Sequence, residues 1–199
     1  MSNYPLMYRL GLTPWERYGP VAAAQLGRLL DRELNEHGTT PGRALDVGCG
    51  RGLLAPELAR RGWETVGVDL VPAAIEAARA QDVDDVTYRV VDVTALESAN
   101  LGTFDLFMDS GCFQGLSPEQ RVAEGRGVTA LAAPDATLLM LAFSPSRYQR
   151  LVEGVAQGEI EAALPEWDLV HVEDADTDNM GWPMNKTAPK WYRFRRCAR

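Results

Sequence analysis

The sequence lacks any apolar run long enough to cross a membrane. Its longest, residues 138–143, falls far short of the roughly 18 residues that a spanning helix needs. Basic charge is also scarce, because 20 Lys and Arg stand against 28 Asp and Glu, for a net charge of −8. Nucleic-acid-binding proteins more often carry a basic surplus. We therefore expect neither a membrane nor a nucleic acid as a partner, and residues 1–10 show no apolar core of a secretory signal.

Cysteine and histidine are both rare. The three cysteines, Cys49, Cys112 and Cys197, lie far apart, which is the pattern of neither a disulfide framework nor a zinc site. We therefore expect a reduced, cytoplasmic protein with no bound metal. A histidine-based catalytic site would have to use His37 or His171, the only histidines in the sequence. We expect His37 on the surface near a helix end and His171 in a structural role.

Length and composition indicate one folded domain over residues 1–199, with 46% hydrophobic and 24% charged residues. Apolar segments of strand length alternate with helical segments from position 43 onwards, which predicts a parallel sheet with helices on both faces. The last two strand segments have no helix between them, and they predict an antiparallel pair at the sheet edge. The predicted strands are 44–47, 65–68, 86–91, 104–108, 137–143, 169–172 and 191–196, and the predicted helices are 21–36, 53–61, 72–81, 117–133 and 147–157.

Charge is segregated along the end of the chain. Residues 159–178 contain eight acidic side chains and no Lys or Arg, whereas residues 186–199 contain six basic side chains and no acidic one. Opposite charges on neighbouring strands attract each other. The two segments are thus either cross-strand neighbours or two unrelated solvated charge runs.

The most informative segment is LDVGCGRG, residues 45–52, in which a predicted strand leads into the glycines Gly48, Gly50 and Gly52. Glycines let a ligand approach the backbone, and the start of the following helix offers free amides. Asp69 follows Gly48 by 21 residues, at the end of the second predicted strand. A carboxylate there can accept both hydroxyls of a ribose, so the pattern predicts a nucleoside site.

The pattern of residues argues against NAD as the ligand. A dinucleotide fingerprint needs a third glycine at position 53, which is Leu53 here. Asp46, within the same segment, would repel a pyrophosphate but can hold an ammonium group directly or through water. The alternative for Asp46 is a carboxylate that caps the loop or the helix.

Four segments in order resemble the motifs of class I S-adenosylmethionine (SAM)-dependent methyltransferases. LDVGCGRG (45–52) and GVDL (67–70) resemble the first two cofactor motifs, VVDV (90–93) the third and FDLFMDSG (104–111) the fourth. The resemblance covers about residues 15–146. It implies a Rossmann-like sheet of seven strands with an antiparallel edge hairpin. It also implies SAM as cofactor and S-adenosylhomocysteine as product.

The resemblance assigns roles to individual residues. Asp46 would help to hold the ammonium end of SAM, Asp69 the ribose and Asp92 the adenine amino group. Cys49 would be a small packing residue that faces the cofactor. The residues implied to bind the cofactor are Asp46, Gly48, Cys49, Gly50, Asp69, Leu70, Asp92, Val93, Asp109 and Ser110, of which the last two would flank the transferred methyl.

The segment MDSGCFQGLSPEQR, residues 108–121, resembles a subgroup of small-molecule methyltransferases that act on thiopurines, tellurite or heterocyclic toxins. Many members have a histidine where this chain has Gln114, and an amide cannot replace a base. TPWERYGP, residues 13–20, resembles the subgroup's arm that closes over the acceptor, so residues 1–40 are expected to form an arm and helix that act as a lid. The candidate catalytic residues are Asp109, Cys112, Gln114 and Tyr18, and the candidate acceptor-binding residues are Trp15, Tyr18, Phe113, Gln114 and Trp182.

The resemblance thus implies an enzyme, a monomer or homodimer, that methylates a small aromatic or heterocyclic acceptor at oxygen, nitrogen or sulfur. Such chemistry occurs in secondary metabolism and in detoxification. Two alternatives stay open. One is a SAM-binding sensor without catalysis, suggested by the missing histidine, and the other is a methyltransferase that acts on protein or RNA.

Overall fold

A sheet of seven strands in the order β3-β2-β1-β4-β5-β7-β6 organises the structure, a computed structural model that describes residues 19–37, 41–148, 152–177 and 184–197. The strands are β1 (Arg43–Val47), β2 (Glu64–Asp69), β3 (Val86–Val90), β4 (Phe104–Ser110), β5 (Ala132–Phe143), β6 (Trp167–Asp174) and β7 (Pro189–Arg196). The helices are α1 (Gly19–His37), α2 (Ala55–Ala59), α3 (Pro72–Arg79), α4 (Pro118–Leu131) and α5 (Gln157–Ala163), with 3₁₀ turns at Val93–Ser98, Phe113–Gly115 and Met184–Lys186.

Strands β1 to β5 pair in parallel, whereas β7 runs antiparallel to both β5 and β6. The expectation of a mostly parallel sheet with an antiparallel edge pair is confirmed. In this register Val47 of β1 is opposite both Val68 of β2 and Asp109 of β4. The carboxyl ends of the central strands therefore meet at one edge, where open α/β sheets bind their ligands.

Alternation along β4 divides the core into two layers. Leu106 and Met108 lie in one cluster with the buried residues of α1, while Phe107 lies in the other with Val128 of α4 and Ile160 of α5. Successive strand side chains point to opposite faces of a sheet. Helices therefore cover both faces, as the alternation of segments predicts. Among the described residues, no helix is long and apolar enough to span a membrane.

The predicted helix at 147–157 is not found at residues 152–156, and residues 149–151 lie outside the described part of the chain. Over the described part of that range the chain instead follows the end of β5, where the Val155 N–H donates to the Phe143 carbonyl at 2.9 Å. A side chain at Gly154 would collide with the backbone that leaves β5, so this glycine permits the close approach. The helix α5 begins only at Gln157, where the Glu159 carboxylate accepts the Ala156 N–H at 2.9 Å.

The opposite charges near the end of the chain meet across strands and also beneath the sheet. Lys190 pairs with Asp174 at 2.6 Å across β7 and β6, which supports the interpretation as cross-strand neighbours. Arg196 pairs with Glu166 at 2.9 Å, whereas two other basic residues of β7 have a partner that the sequence did not reveal. Arg193 and Arg195 lie 2.7 and 2.9 Å from the buried carboxylate of Glu33 on α1.

Candidate functional site

The loop between β1 and α2 is built on three glycines in the left-handed region. Gly48, Gly50 and Gly52 have φ values of +68°, +54° and +74°, a conformation that side chains strongly disfavour. A Cβ at Gly52 would also lie 2.4 Å from the Tyr88 hydroxyl oxygen. The loop geometry therefore requires glycine, and the loop lies at the carboxyl end of β1.

Asp46 lies beneath this loop with only 2% of its surface exposed. Its carboxylate accepts a hydrogen bond from the Ala55 N–H at the start of α2, yet Oδ2 has no hydrogen-bond partner among the described residues. Burial first, and then the charges of Asp109 and Asp69, raise the pKa of Asp46 to about 8. The capping role and a ligand role are thus compatible. A buried carboxylate oxygen without a partner is costly, and it fits the ammonium group of a SAM-like ligand.

Asp69 joins the loop to the end of β2. Its Oδ2 accepts the Gly50 N–H at 2.9 Å, and its Oδ1 accepts the Val71 N–H at 2.8 Å. Burial raises the pKa of Asp69, while these two backbone hydrogen bonds act to lower it. Each carboxylate oxygen keeps a further lone pair, so the group can also accept ribose hydroxyls. The next residue, Leu70, exposes 56% of its apolar surface beside the loop.

The third predicted motif divides into an exposed acid and a buried valine. Asp92 is exposed, and its Oδ1 accepts both the N–H and the hydroxyl of Thr94, at 2.9 and 2.7 Å. It therefore caps the following 3₁₀ turn, a role that the sequence analysis did not assign. Val93 packs its side chain into the main core, so only its backbone is available to a ligand.

The Cys49 side chain lies in a small buried cluster below the loop. It is buried with Ile75, Ala78 and Tyr88 between the sheet and its helices, because Gly67 leaves room for the sulfur below the loop. Burial raises the pKa of this thiol far above its usual range. Its burial agrees with a small packing residue, and its predicted contact with the cofactor stays a prediction.

Asp109 closes β4 and organises the turn that follows. Its carboxylate accepts the N–H of Cys112 at 3.0 Å and of Phe113 at 3.1 Å, together with that of Gly111. The group is fully buried. Burial raises the pKa of Asp109 to about 6, against hydrogen bonds from Glu124 and the three amides that lower it. Ser110, at the end of the same strand, is half-buried.

Glu124 of α4 is a site residue that the sequence analysis missed. It is 2% exposed and is hydrogen-bonded to Asp109, and its Oε2 has no hydrogen-bond partner among the described residues. Burial, and then the charge and hydrogen bond of Asp109, raise the pKa of Glu124 well above its usual range. The available signal was its helical spacing, because Glu124 lies between Arg121 and Val128 on the buried stripe of α4.

Cys112 completes what we call the acid–thiol cluster, formed by Asp109, Cys112 and Glu124. One potential ligand atom of each residue lies within 4.8 Å of the others. A metal is nevertheless a poor fit, because the Asp109 carboxylate already accepts three amides and a hydrogen bond from Glu124. Burial and the neighbouring carboxylates raise the pKa of the Cys112 thiol well above its usual range. The cluster is a hydrogen-bonded assembly whose thiol is a poor base.

The two predicted acceptor residues of the next turn differ in their surroundings. Phe113 is fully buried in the main core, so its ring contacts the core and not an open surface. The predicted role of Phe113 in acceptor binding stays a prediction. Gln114 is half-buried, and its Oε1 accepts the Phe143 N–H at 2.6 Å. Beside it lies an open cleft of about 270 Å³, lined by residues 114–117 with Arg121, Glu153 and Gly154.

The remaining candidates lie away from this edge or outside the described residues. Trp15, Tyr18 and Trp182 fall outside the described residues, so their predicted roles stay predictions. His171 is exposed on the edge strand β6, with its Nε2 3.1 Å from Glu173. It belongs to the far edge of the sheet, in agreement with a structural role.

Residues 44–135 match a family model described as a methyltransferase domain. This range contains the glycine loop, Asp69, Asp92 and the acid–thiol cluster. The matched segment is somewhat less than half of the chain, and over that segment the chain is similar to methyltransferase domains. The loop of left-handed glycines with the unpartnered oxygen of Asp46 fits a ligand such as SAM.

Two curated relatives of this chain are named as methyltransferases. The 2-heptyl-1-hydroxyquinolin-4(1H)-one methyltransferase of Mycobacteroides abscessus is 31% identical over 126 residues, which is 61% of this chain and 55% of that protein. The ubiquinone biosynthesis O-methyltransferase of Brucella ovis is 26% identical over 211 residues, 92% of this chain and 82% of that protein. The match thus spans about half the length of the first relative and most of the second.

Solved structures share the fold of this chain. The 1,6-didemethyltoxoflavin-N1-methyltransferase of Burkholderia thailandensis, with 1,6-didemethyltoxoflavin and S-adenosylhomocysteine bound, has a TM-score of 0.76 and 21% identity, over 98% of this chain and 86% of that one. The N-methyltransferase NodS of Bradyrhizobium japonicum with S-adenosylhomocysteine has a TM-score of 0.70 and 19% identity, over 89% and 88% of the two chains. At these identities the likeness establishes the fold.

Proposed function

We propose that this protein transfers the methyl group of SAM to oxygen, nitrogen or sulfur of a small aromatic or heterocyclic acceptor. The observation that carries the proposal is the pairing of Asp46 with the glycine loop. A buried carboxylate oxygen without a hydrogen-bond partner lies beneath three left-handed glycines. The ammonium group of SAM would supply the missing partner of the Asp46 oxygen. The glycine loop would lie against the rest of the ligand. SAM, when bound, supplies a methyl group on a sulfonium cation.

The proposed cofactor-binding roles follow from the hydrogen-bond acceptors and the apolar surface that each side chain still has available. Asp46 holds the ammonium end through Oδ2, and Asp69 accepts the ribose hydroxyls through its remaining lone pairs. Leu70 offers an apolar face to the adenine, and Asp92 its second carboxylate oxygen to the adenine amino group. Ser110 borders the position of the transferred methyl.

Catalysis in this proposal rests on positioning, which can supply much of the rate of an in-line displacement. Asp109 is already fully engaged by amides and Glu124, and the Cys112 thiol is held in its protonated form. Neither group is therefore suited to remove a proton from the acceptor. Gln114 has its amide oxygen on the Phe143 N–H, which leaves its NH₂ group to orient an acceptor. We therefore propose an acceptor that ionises readily on its own.

The acceptor class is supported by the related enzymes, whose names refer to a hydroxyquinolinone and a didemethyltoxoflavin, both nitrogen heterocycles. The open cleft beside Gln114 lies near the end of β5, where Gln114 accepts the Phe143 N–H. We further propose that the enzyme is cytoplasmic and works as a monomer or homodimer. The three cysteines are free, as expected in a reducing compartment.

The test is a calorimetric titration of the purified chain with S-adenosylhomocysteine, with NAD as the control ligand. We expect micromolar affinity for S-adenosylhomocysteine and no binding of NAD. Labelled SAM with a panel of hydroxylated and nitrogen heterocycles then tests turnover. Absence of binding by a folded sample would refute the proposal. Binding without transfer to any small acceptor, protein or RNA would favour a SAM-binding sensor.

A further inference from the structure

Two buried carboxyl groups, those of Glu124 and Asp109, lie next to each other in the acid–thiol cluster. One oxygen of each carboxyl group lies within 4.8 Å of the other, and both groups are fully buried. Two ionised carboxylates at this separation would repel each other in a buried site, whereas a protonated one can donate to the other. One proton must therefore lie between them at neutral pH.

The backbone decides which carboxyl group holds that proton. Asp109 accepts amide hydrogen bonds from the turn after β4, at 3.0 Å from Cys112 and 3.1 Å from Phe113. Such donors stabilise the ionised form of the carboxylate that receives them. Glu124 receives no amide of this kind, and its Oε2 is buried without a hydrogen-bond partner among the described residues. The proton therefore resides on Glu124, which donates to Asp109.

Arg121, one turn earlier on α4, does not neutralise Glu124 by a direct pair. Its guanidinium donates to the Phe113 carbonyl at 3.2 Å, to the Gln114 carbonyl at 2.9 Å and to Glu159 at 3.0 Å. These contacts turn the cation towards the 3₁₀ turn and α5. The Glu124 carboxyl group lies on the side of α4 that faces Asp109.

We propose that Glu124 is a positioning residue, which stays protonated and holds the turn after β4 against the glycine loop by donating to Asp109. This inference rests on the proposed function, because the loop is the proposed cofactor site. The contacts form a continuous series. Glu124 donates to Asp109, Asp109 accepts the Cys112 N–H, and the Cys112 side chain packs on Gly48. Loss of the Glu124 donor would loosen the Asp109 carboxylate, which holds the turn that packs on Gly48.

Other groups near the pair also titrate or carry charge. The charged or titratable groups that face it are Asp109 on β4, Cys112 in the turn, Asp46 on β1, Asp69 at the end of β2 and Arg121 on α4. Of these, Asp46 has a pKa of about 8, so its ionisation changes cofactor binding in the same pH range. A comparison of two variants at each pH cancels the effect of Asp46.

The experiment compares Glu124→Gln, which keeps a donor but cannot ionise, with Glu124→Leu, which cannot donate. Glu119→Gln, at an exposed position on the same helix, is the matched control. Binding of S-adenosylhomocysteine is measured from acidic to alkaline pH. At neutral pH we expect Glu124→Gln to bind like the wild type and Glu124→Leu to bind about tenfold more weakly, within the usual effect of a lost hydrogen bond to a buried charge. Circular dichroism and melting curves establish that each variant is folded.

The pH profile separates positioning from a purely structural role. As the pH rises, wild-type Glu124 loses its proton and its donor, so wild-type affinity should fall relative to Glu124→Gln, while Glu119→Gln follows the wild type. A constant ratio between wild type and Glu124→Gln would overturn the proposal. So would wild-type affinity in a folded Glu124→Leu. If Glu124→Leu does not fold, the wild type and Glu124→Gln alone decide the outcome.

Infrared difference spectroscopy observes the proton directly, without cofactor or turnover. At neutral pH the Glu124→Gln minus wild-type spectrum should show the loss of a protonated carboxylic acid band. Loss of a carboxylate band instead would refute protonation of Glu124. If the wild type binds no S-adenosylhomocysteine, the proposed function fails and the positioning role fails with it. If the wild type binds but the variants do not differ, only the positioning role fails.

Discussion

The side chain of Cys112 packs directly on Gly48, so closely that a Cβ at position 48 would lie 2.6 Å from the Cys112 Cβ and 2.7 Å from its sulfur. Gly48 also has a φ of +68°. This contact joins the turn after β4 to the loop after β1. The two residues lie 64 positions apart in the sequence. Their two motifs thus form one wall of the proposed cofactor site.

Replacement of Gly48 by alanine should therefore destabilise the fold for two reasons. The left-handed backbone costs alanine about 1–2 kcal/mol, and overpacking against Cys112 adds about 1–3 kcal/mol. Chemical denaturation measures the sum. The double variant Gly48→Ala with Cys112→Gly should recover the second contribution but not the first, relative to Cys112→Gly alone. Strict additivity of the two substitutions would contradict the contact.

Replacement of Asp69 by alanine should weaken S-adenosylhomocysteine binding by about 1–3 kcal/mol, the usual cost of a lost polar contact at a buried site. The variant removes both the proposed ribose contact and the acceptor for the Gly50 N–H. Asp82→Ala, at an exposed position beyond α3, is the control. Calorimetry provides the affinities and circular dichroism the state of the fold. An unchanged affinity in a folded Asp69→Ala would exclude Asp69 from the site.

Binding of S-adenosylhomocysteine should release a proton from Asp46. The pKa of Asp46 is about 8 in the ligand-free protein, so the group is mostly protonated at neutral pH and must ionise to pair with an ammonium group. Affinity should therefore increase as the pH rises towards about 8. Titrations in buffers of different ionisation enthalpy measure the released proton directly. Asp46→Asn should bind more weakly and release none, and equal release by that variant would refute the assignment.

The same shift predicts how the stability of the ligand-free protein depends on pH. The pKa of Asp46 is raised above its unfolded value of 3.8, so its protonation favours the folded state. That stabilisation is complete below the unfolded pKa and is lost as the pH rises through about 8. Melting temperature should consequently fall towards alkaline pH, and Asp46→Asn should reduce this slope. A slope that Asp46→Asn leaves unaltered would show that other groups govern it.

Replacement of Glu33 by alanine should destabilise the protein by about 3 kcal/mol, because it breaks a buried ion pair and leaves cations without this partner. Arg193 and Arg195 both contact the Glu33 carboxylate, and the Thr137 hydroxyl donates to it at 2.5 Å. Asp174→Asn breaks the exposed pair with Lys190 and should cost less than about 1 kcal/mol. Denaturant titrations compare the two, and equal effects would contradict the difference in burial.

The sequence alone determined the features that depend on neighbouring residues. The alternation of apolar segments with helical segments fixes a mostly parallel sheet, because strand and helix periods are local properties. The spacing of Gly48, Gly50 and Gly52 likewise determines a loop in which each glycine is left-handed. The position of Asp69 at the end of β2 follows from the same local pattern.

Only the tertiary structure decided which distant residues share a proton, form an ion pair or pack against each other. Glu124 lies beside Asp109, and Glu33 lies beneath Arg193, because helices pack on a sheet at positions that no local pattern specifies. The lack of helix at residues 152–156 has the same cause, since the contact of Val155 with the end of β5 overrides the local propensity there. Burial then sets the pKa of each carboxyl group, and burial is a property of the whole fold.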